Sequence, residues 1–379
     1  MPYWRLSSFY FFYFAALGAL VPYWGLYLKS LGFGAVDIGS LTAILMATKI
    51  VAPYIWGWLG DHLGHRMRIV RIASLASALA FVLMFWSDGF WSIAAVMTLF
   101  SFFWNASLPQ LEVVTLNYLG ARVQRYARLR VWGSVGFILT VLILGWLVDR
   151  EGPAIVLSAV FMIYLGIWLT TLTVRDPDPE AHPHAQPHIL QVLRQPSVLA
   201  FFAAVFLMQL SHGPYYAFYT IYMTDYGHSK TLIGGLWALG VVAEVVVFML
   251  MHRLLERFGA RRVLVASLGV AALRWVVIGM FPADLWLMLL AQLMHAATFG
   301  TFHASSIHLV QHFFQGRHKG RGQALYSSLS YGAGGAMGSW LAGHAWADLG
   351  PLSSYLLAAV AALLGSLVAW RLMDQRAAG

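Results

Sequence analysis

Six side chains capable of acid–base or ion-pair chemistry stand inside otherwise apolar sequence: Lys49, Glu112, Arg130, Glu244, Arg274 and His295. A carboxylate beside an arginine can exchange its proton when the partner moves, and a buried cation can receive a carboxylate. Such groups are costly in a lipid-embedded helix and mark a site lined by protein or water. Their spacing is informative. Glu112 and Arg130 have their midpoint at 121, in a short loop that also holds Arg122, Arg125 and Arg128. In a helical hairpin, residues equidistant from the turn lie at similar depth, so these two are expected to face each other. Glu244 and Arg274 are centred on Gly259, and Arg274 and His295 near Asp284, which puts all three at one depth. The competing reading of each group is a static ion pair that joins helices.

Polar residues accompany these charges. Asn105 and Ser101 lie seven and eleven residues before Glu112, on its helical face. A polar stripe of this kind suits a cavity wall better than a lipid face. Gln209, His212, Tyr216, Tyr219 and Met223 follow one another at spacings of three and four, and Gln323, Ser327 and Ser330 do the same. Aromatic stripes are more often packing than ligand contacts. Glutamine and histidine among them turn the expectation towards a cavity, and aromatic walls with a few polar groups suit a small aromatic acid. Lys49, Arg130 and Arg274 stand against Glu112 and Glu244, an excess of one cation. A buried excess cation is eased by an anionic ligand, which favours a carboxylate substrate over a neutral sugar. Snorkelling or neutralisation of Lys49 is the alternative.

The elements that position these residues are long helices. The chain has 379 residues, 60% hydrophobic and 10% charged. Twelve apolar segments of bilayer-spanning length run at about 7–28, 38–60, 69–87, 91–117, 128–148, 153–173, 198–223, 231–253, 262–281, 284–311, 322–346 and 351–371. The fold class expected is an all-α membrane protein with two pseudo-symmetric six-helix bundles. Residues 1–175 and 196–379 form the bundles, and the polar, proline-rich stretch 176–195 links them. The first apolar run is too long for a signal-peptide core and lacks a cleavage site. There are no cysteines, so neither disulfides nor thiolate metal sites contribute. Of the 24 Lys and Arg, 18 fall on the side that also holds both termini, three on the other side and three within helices. The positive-inside rule then puts both termini in the cytoplasm. The same asymmetry explains the net charge of +9 without a nucleic-acid partner.

The halves repeat. Asp61, Gly64 and Arg66 align with Glu256, Gly259 and Arg261 at an offset of 195 residues, which also carries Arg122 onto Arg317 and Lys49 onto Glu244. Duplicated six-helix halves are the plan of a secondary transporter with its site near the midplane. Gly57-x-x-x-Asp61-His62-x-Gly64-His65-Arg66 resembles the loop signature of the major facilitator superfamily, although His62 and His65 replace its usual basic residues. The resemblance implies a conformational latch made of Gly57, Asp61, Gly64 and Arg66. Arg128 to Phe137, Ser211 to Phe218, Gln292 to His303 and Gly322 to Ser327 are similar to the phenylpropionate permease family. The wider group includes the lactose permease-like proton symporters, whose substrate-binding Glu and Arg are matched by Glu112 and Arg130. Glu244, Arg274 and His295 match a further Glu, Arg and His of that group. Thr298 stands where those symporters carry a proton on a glutamate.

The resulting expectation is proton-coupled uptake of a small, aromatic carboxylate by alternating access. Glu112, Arg130, Lys49, Asn105, Gln209, His212, Tyr216 and Gln323 are the candidate substrate contacts. Glu244, Arg274 and His295 are the candidate proton-coupling group. The expected partners are a small-molecule substrate, a proton and the lipid bilayer, with no cofactor, no metal and no nucleic acid. The chain is expected to be a monomer in the bacterial inner membrane and not an enzyme. A sugar or nucleoside symporter, an exporter and a transport-dead sensor keep the same fold. The rival class is a membrane di-iron enzyme, suggested by His308-x-x-x-His312 and His62-x-x-His65. Two loose pairs fall short of the ligands such a site needs, and His182, His184 and His188 read as a proline-spaced linker.

Overall fold

A computed structural model describes residues 1–176, 189–315 and 319–374. Most of the expected linker, with His182, His184 and His188, lies outside the described residues, as does Arg317. Among the described residues every regular element is helical. Low polarity forces this, because a backbone in lipid must satisfy its N–H and C=O groups within the segment. The long helices are α1 (Tyr3–Ser30), α2 (Ala35–Leu63), α3 (Arg66–Val82), α4 (Phe90–Leu119), α5 (Tyr126–Glu151) and α6 (Ile155–Thr173). They continue with α7 (Pro196–Asp225), α8 (Lys230–Phe258), α9 (Ala260–Met280), α10 (Leu285–Phe313), α11 and α12 (Pro351–Leu372). Eleven of these are long and apolar enough to cross a membrane. The other, α11, runs through Lys319–Ser327, a π-helical stretch Ser328–Gly334, and Gly335–Leu349. A second π-helical stretch, Ala296–Thr301, interrupts α10.

Two compact units follow from the packing. The first comprises the described residues of 1–33, 48–183 and 228–238, and the second those of 34–47, 184–227 and 239–379. Within the first, α1 packs on α5 and α6, and α3 on α4 and α6. Within the second, α7 packs on α11 and α12, and α9 on α10 and α12. The pairs recur with each helix number advanced by six. So do the contacts that need glycine. A Cβ at Gly18 of α1 would lie 2.9 Å from the Phe137 carbonyl oxygen of α5. A Cβ at Gly213 of α7, 195 residues on, would overlap the carbonyl of Gly338 on α11 outright. Small residues let helix backbones touch where lipid offers no hydrophobic drive.

Two helices divide their length between the units. The start of α8 belongs to the first, where Asp149 accepts the backbone N–H groups of Lys230 (2.9 Å) and Thr231 (2.7 Å) and the Thr231 hydroxyl (2.6 Å). Orphan donors at a helix N-terminus favour such a carboxylate. The start of α2 belongs to the second unit, where Gly39 meets Gly343 and Ser339 of α11.

Candidate functional site

In the first unit, Glu112 of α4 accepts a hydrogen bond from the Tyr126 hydroxyl at 2.8 Å. The Tyr126 ring stands edge-on to Tyr10 of α1, with centroids 6.4 Å apart. Arg130 of α5 completes this row. Its guanidinium carbon lies 5.4 Å from the Tyr10 ring and 4.4 Å from the Phe14 ring. Glu112 and Arg130 are thus brought to one place, as the hairpin spacing requires, with the Tyr10–Tyr126 ring pair beside both. Lys49 is half-buried on α2. Its neighbour Thr48 donates to Ser101 (3.0 Å) and accepts from Asn105 (2.9 Å), so the polar stripe of α4 is tied to the helix of Lys49.

In the second unit, the expected trio forms a row. Glu244 Oε2 of α8 lies 3.8 Å from His295 Nε2 of α10, and His295 Nδ1 lies 3.1 Å from Arg274 Nη1 of α9. A guanidinium only donates, so Nδ1 supplies its lone pair and the neutral ring carries its hydrogen on Nε2, towards Glu244. Arg274 is fully buried. It donates to the Ala291 carbonyl (2.8 Å), to Thr298 (3.0 Å) and to Gln292 (3.4 Å), and it lies over the rings of Tyr215 and Trp275 at 4.3 and 4.8 Å. Glycines bring α8 in close. A Cβ at Gly240 would sit 3.3 Å from Gln292 Oε1, and one at Gly300, inside the π-helical stretch of α10, 3.2 Å from Glu244 Cγ. A π turn shifts the face that a helix presents, and such turns gather at functional sites.

His212 and Gln209 border this group. Tyr216 donates to Gln209 Oε1 at 3.4 Å, and its ring lies 5.4 Å from that of His212. His212 Nδ1 is 2.8 Å from the Met208 carbonyl, which only accepts, so Nδ1 carries the hydrogen and Nε2 presents a bare lone pair. Among the described residues that buried lone pair meets no hydrogen-bond donor. Gln323 stands apart. It is exposed, near the start of α11. Ser330, two turns further along, is buried.

The expected latch residues lie in the last turns of α2 (Gly57 and Asp61), in the turn that follows (Gly64) and at the start of α3 (Arg66). Arg66 pairs with Asp61 and donates to Gln110 Oε1 at 2.6 Å, while Gln110 donates to the Trp56 carbonyl. Gly64 has φ +68°, a turn that an L side chain adopts only with strain. Gly57 has open space beside it. The aligned residues of the second unit behave differently. Gly259 keeps the turn at φ +76°, but Arg261 donates to the Ala369 and Trp370 carbonyls at the end of α12, and Glu256 contacts the exposed His252. Among the described residues, no three of His, Cys, Asp and Glu gather as a metal-holding group.

Several participants carried no signal of their own. Tyr126, Tyr10 and Phe14 are single aromatics among many. Gln110 is one polar residue before a more conspicuous glutamate. Gln292 lies one helical turn before His295, and that spacing could have found it.

These features match known proteins along nearly the whole chain. The MFS_1 like family matches residues 3–357. The chain is 29% identical to the probable 3-phenylpropionic acid transporter of Escherichia coli (strain K12), with 93% of each chain covered. It is 25% identical to the maltose permease of Geobacillus stearothermophilus, over 95% of this chain and 92% of that one. Among solved structures, a point mutant of the nucleoside transporter NupG superposes with a TM-score of 0.85 at 16% identity, covering 98% of this chain and 99% of that one. The protein belongs to the MFS_1 like family, whose members are secondary transporters of small molecules and not enzymes.

Proposed function

We propose that this transporter takes up a small aromatic carboxylate together with a proton, by alternating access of halves 1–175 and 196–379 joined by the stretch 176–195. The observation that carries the reading is the setting of Arg130. The guanidinium of this half-buried residue, beside the faces of Phe14 and Tyr10, offers an anion partner and an aromatic surface within one reach. Glu112, fixed by Tyr126, orients the anion on the other side of the ring pair. The excess cation at Lys49 supports a carboxylate over a neutral solute, and so does the similarity to a phenylpropionic acid transporter. A maltose permease and a putative nucleoside transporter among the proteins similar in sequence favour a neutral substrate, the second reading.

Glu244 carries the proton in this scheme, with His295 and Arg274 behind it. The Asp61–Arg66 pair serves as the latch. In this reading both termini lie in the cytoplasm of a bacterial inner membrane, which the distribution of basic residues supports, and the chain acts as a monomer. Purified protein in proteoliposomes should accumulate 3-phenylpropionate when the interior is made alkaline, and a protonophore should abolish the accumulation. A thermal-shift screen against carboxylates, sugars and nucleosides separates the readings, because a bound ligand raises apparent stability. Stabilisation by sugars or nucleosides alone would overturn the carboxylate assignment.

A further inference from the structure

Arg274 is fully buried, and its guanidinium donates to neutral groups. Four acceptors come from one helix: the Ala291 carbonyl, Gln292, His295 and Thr298 of α10. The ring of His295 stands between this charge and Glu244, with one nitrogen towards each. Gln292 has a special place here. It is fully buried, and its Oε1 accepts from both Arg274 and the Tyr215 hydroxyl (3.0 Å). It so fixes the guanidinium to the ring that stacks on it. A glutamate has nearly the same shape as a glutamine, but its charge would change the balance. Facing Arg274 at this distance, a carboxylate would take up the charge that now acts on Glu244.

We propose that Gln292 is a positioning residue whose neutrality reserves the charge of Arg274 for Glu244, and so sets the pH at which Glu244 exchanges its proton. This rests on Glu244 being the proton carrier. Among the described residues, His295 of α10 stands against Glu244, Tyr216 of α7 and Tyr331 of α11 lie within its electrostatic reach, and Arg274 of α9 approaches it through the His295 ring. Arg274 is a permanent charge, whereas His295 and the two tyrosines are not. Competition for Arg274 is accordingly a change to which Glu244 should respond.

The test is an infrared titration of the protonated-carboxyl band of purified protein, with Glu244→Gln in each background as the blank. The readout needs no substrate. Gln292→Glu should move the Glu244 band to higher pH by about one unit or more. Thr298→Asp, which puts a carboxylate on another nitrogen of the same guanidinium, should move it the same way and serves if the first variant does not fold. Gln292→Leu removes the acceptor without adding charge. It should lower the rate of 3-phenylpropionate uptake several-fold without an alkaline shift of its pH profile. Titrations of Gln292→Glu and Thr298→Asp that superimpose on the wild type would overturn the role of Gln292 alone. Absence of any Glu244 band change in the wild type between pH 5 and 10 would overturn the proton-carrier reading and this inference with it.

Discussion

Arg130 and Arg274 are both arginines inside apolar helices, and they are held in opposite ways. Arg274 is sealed, with neutral acceptors from α10 on its nitrogens and rings of Tyr215 and Trp275 on its faces. Arg130 is half-buried and lies against Phe14 and Tyr10. A buried charge whose hydrogen-bond partners are all protein groups belongs to the fixed framework. Arg130, less enclosed as a residue and held over aromatic faces, is the one proposed to meet a ligand. Stability should therefore separate the two first. Arg274→Ala orphans the acceptors of α10 and opens a cavity beside Trp275, and should cost about 3–5 kcal/mol. Arg130→Ala should cost about 1 kcal/mol. Thermal unfolding in one detergent measures both, and equal losses would erase the distinction.

Binding should reverse the order. Removing Arg130 takes away the group proposed to meet the carboxylate, so Arg130→Ala should weaken 3-phenylpropionate binding by about 2–4 kcal/mol, a factor of roughly 30 to 1,000. Arg130→Lys should recover part of this, since an ammonium keeps the charge but not the planar fork. Calorimetric titration of the three proteins decides the matter. Undiminished affinity in Arg130→Ala would move the anion site elsewhere, with Lys49 the next residue to test.

The same contrast explains what could be read from the chain. The helices were legible because lipid demands about twenty apolar residues in a row, and the repeat because its offset of 195 recurs in loop glycines and arginines. The row of Glu244, Arg274 and His295 was legible because hairpin geometry converts sequence spacing into depth. Partners contributed by a third helix were not. Nothing near Arg130 in sequence indicates Phe14 of α1, and nothing near either charge indicates the ring of Tyr10 of α1 rather than another of the 17 tyrosines. Gln323 illustrates the converse. Its spacing to Ser327 and Ser330 is helical, yet it occupies an exposed turn of α11. Periodicity gives the face of a helix and is silent about which turn reaches the site. The π turns of α10 and α11 likewise change that face without any change in composition.

The glycines of the two repeats differ in how tightly they are enclosed. Gly213 leaves no room at all, since a Cβ would overlap the Gly338 carbonyl, whereas at Gly18 the nearest atom is 2.9 Å away. Backbone cannot yield as a side chain does, so overpacking here should be costly. Gly213→Ala should destabilise by about 2–3 kcal/mol and Gly18→Ala by about 1 kcal/mol. The reverse order, read from unfolding midpoints, would mean that α7 separates from α11 more easily than α1 does from α5.

The smallest effect tests how far the duplicated loops share a task. Asp61 and Glu256 are aligned, and each follows its helix towards a glycine turn. Asp61 holds Arg66, whose other nitrogen reaches Gln110 of α4, so the pair joins the end of α2 to a neighbouring helix. Glu256 pairs within its own helix, with His252, and both side chains are largely exposed. The arginine that should have matched Arg66 is instead engaged at the end of α12. A latch needs its acid to hold a group on another element, which Asp61 does and the Glu256–His252 pair does not. Exposure of Asp61 keeps its pair weak in stability terms, so Asp61→Asn should cost at most about 1 kcal/mol. Its effect on transport should be larger than its effect on unfolding, because a latch biases two conformations and not the folded state as a whole. Glu256→Gln should change neither by a measurable amount. Uptake rates and unfolding midpoints of the two variants, taken side by side, settle whether the second loop has given up the latch: a comparable fall in uptake for Glu256→Gln would show that it has not.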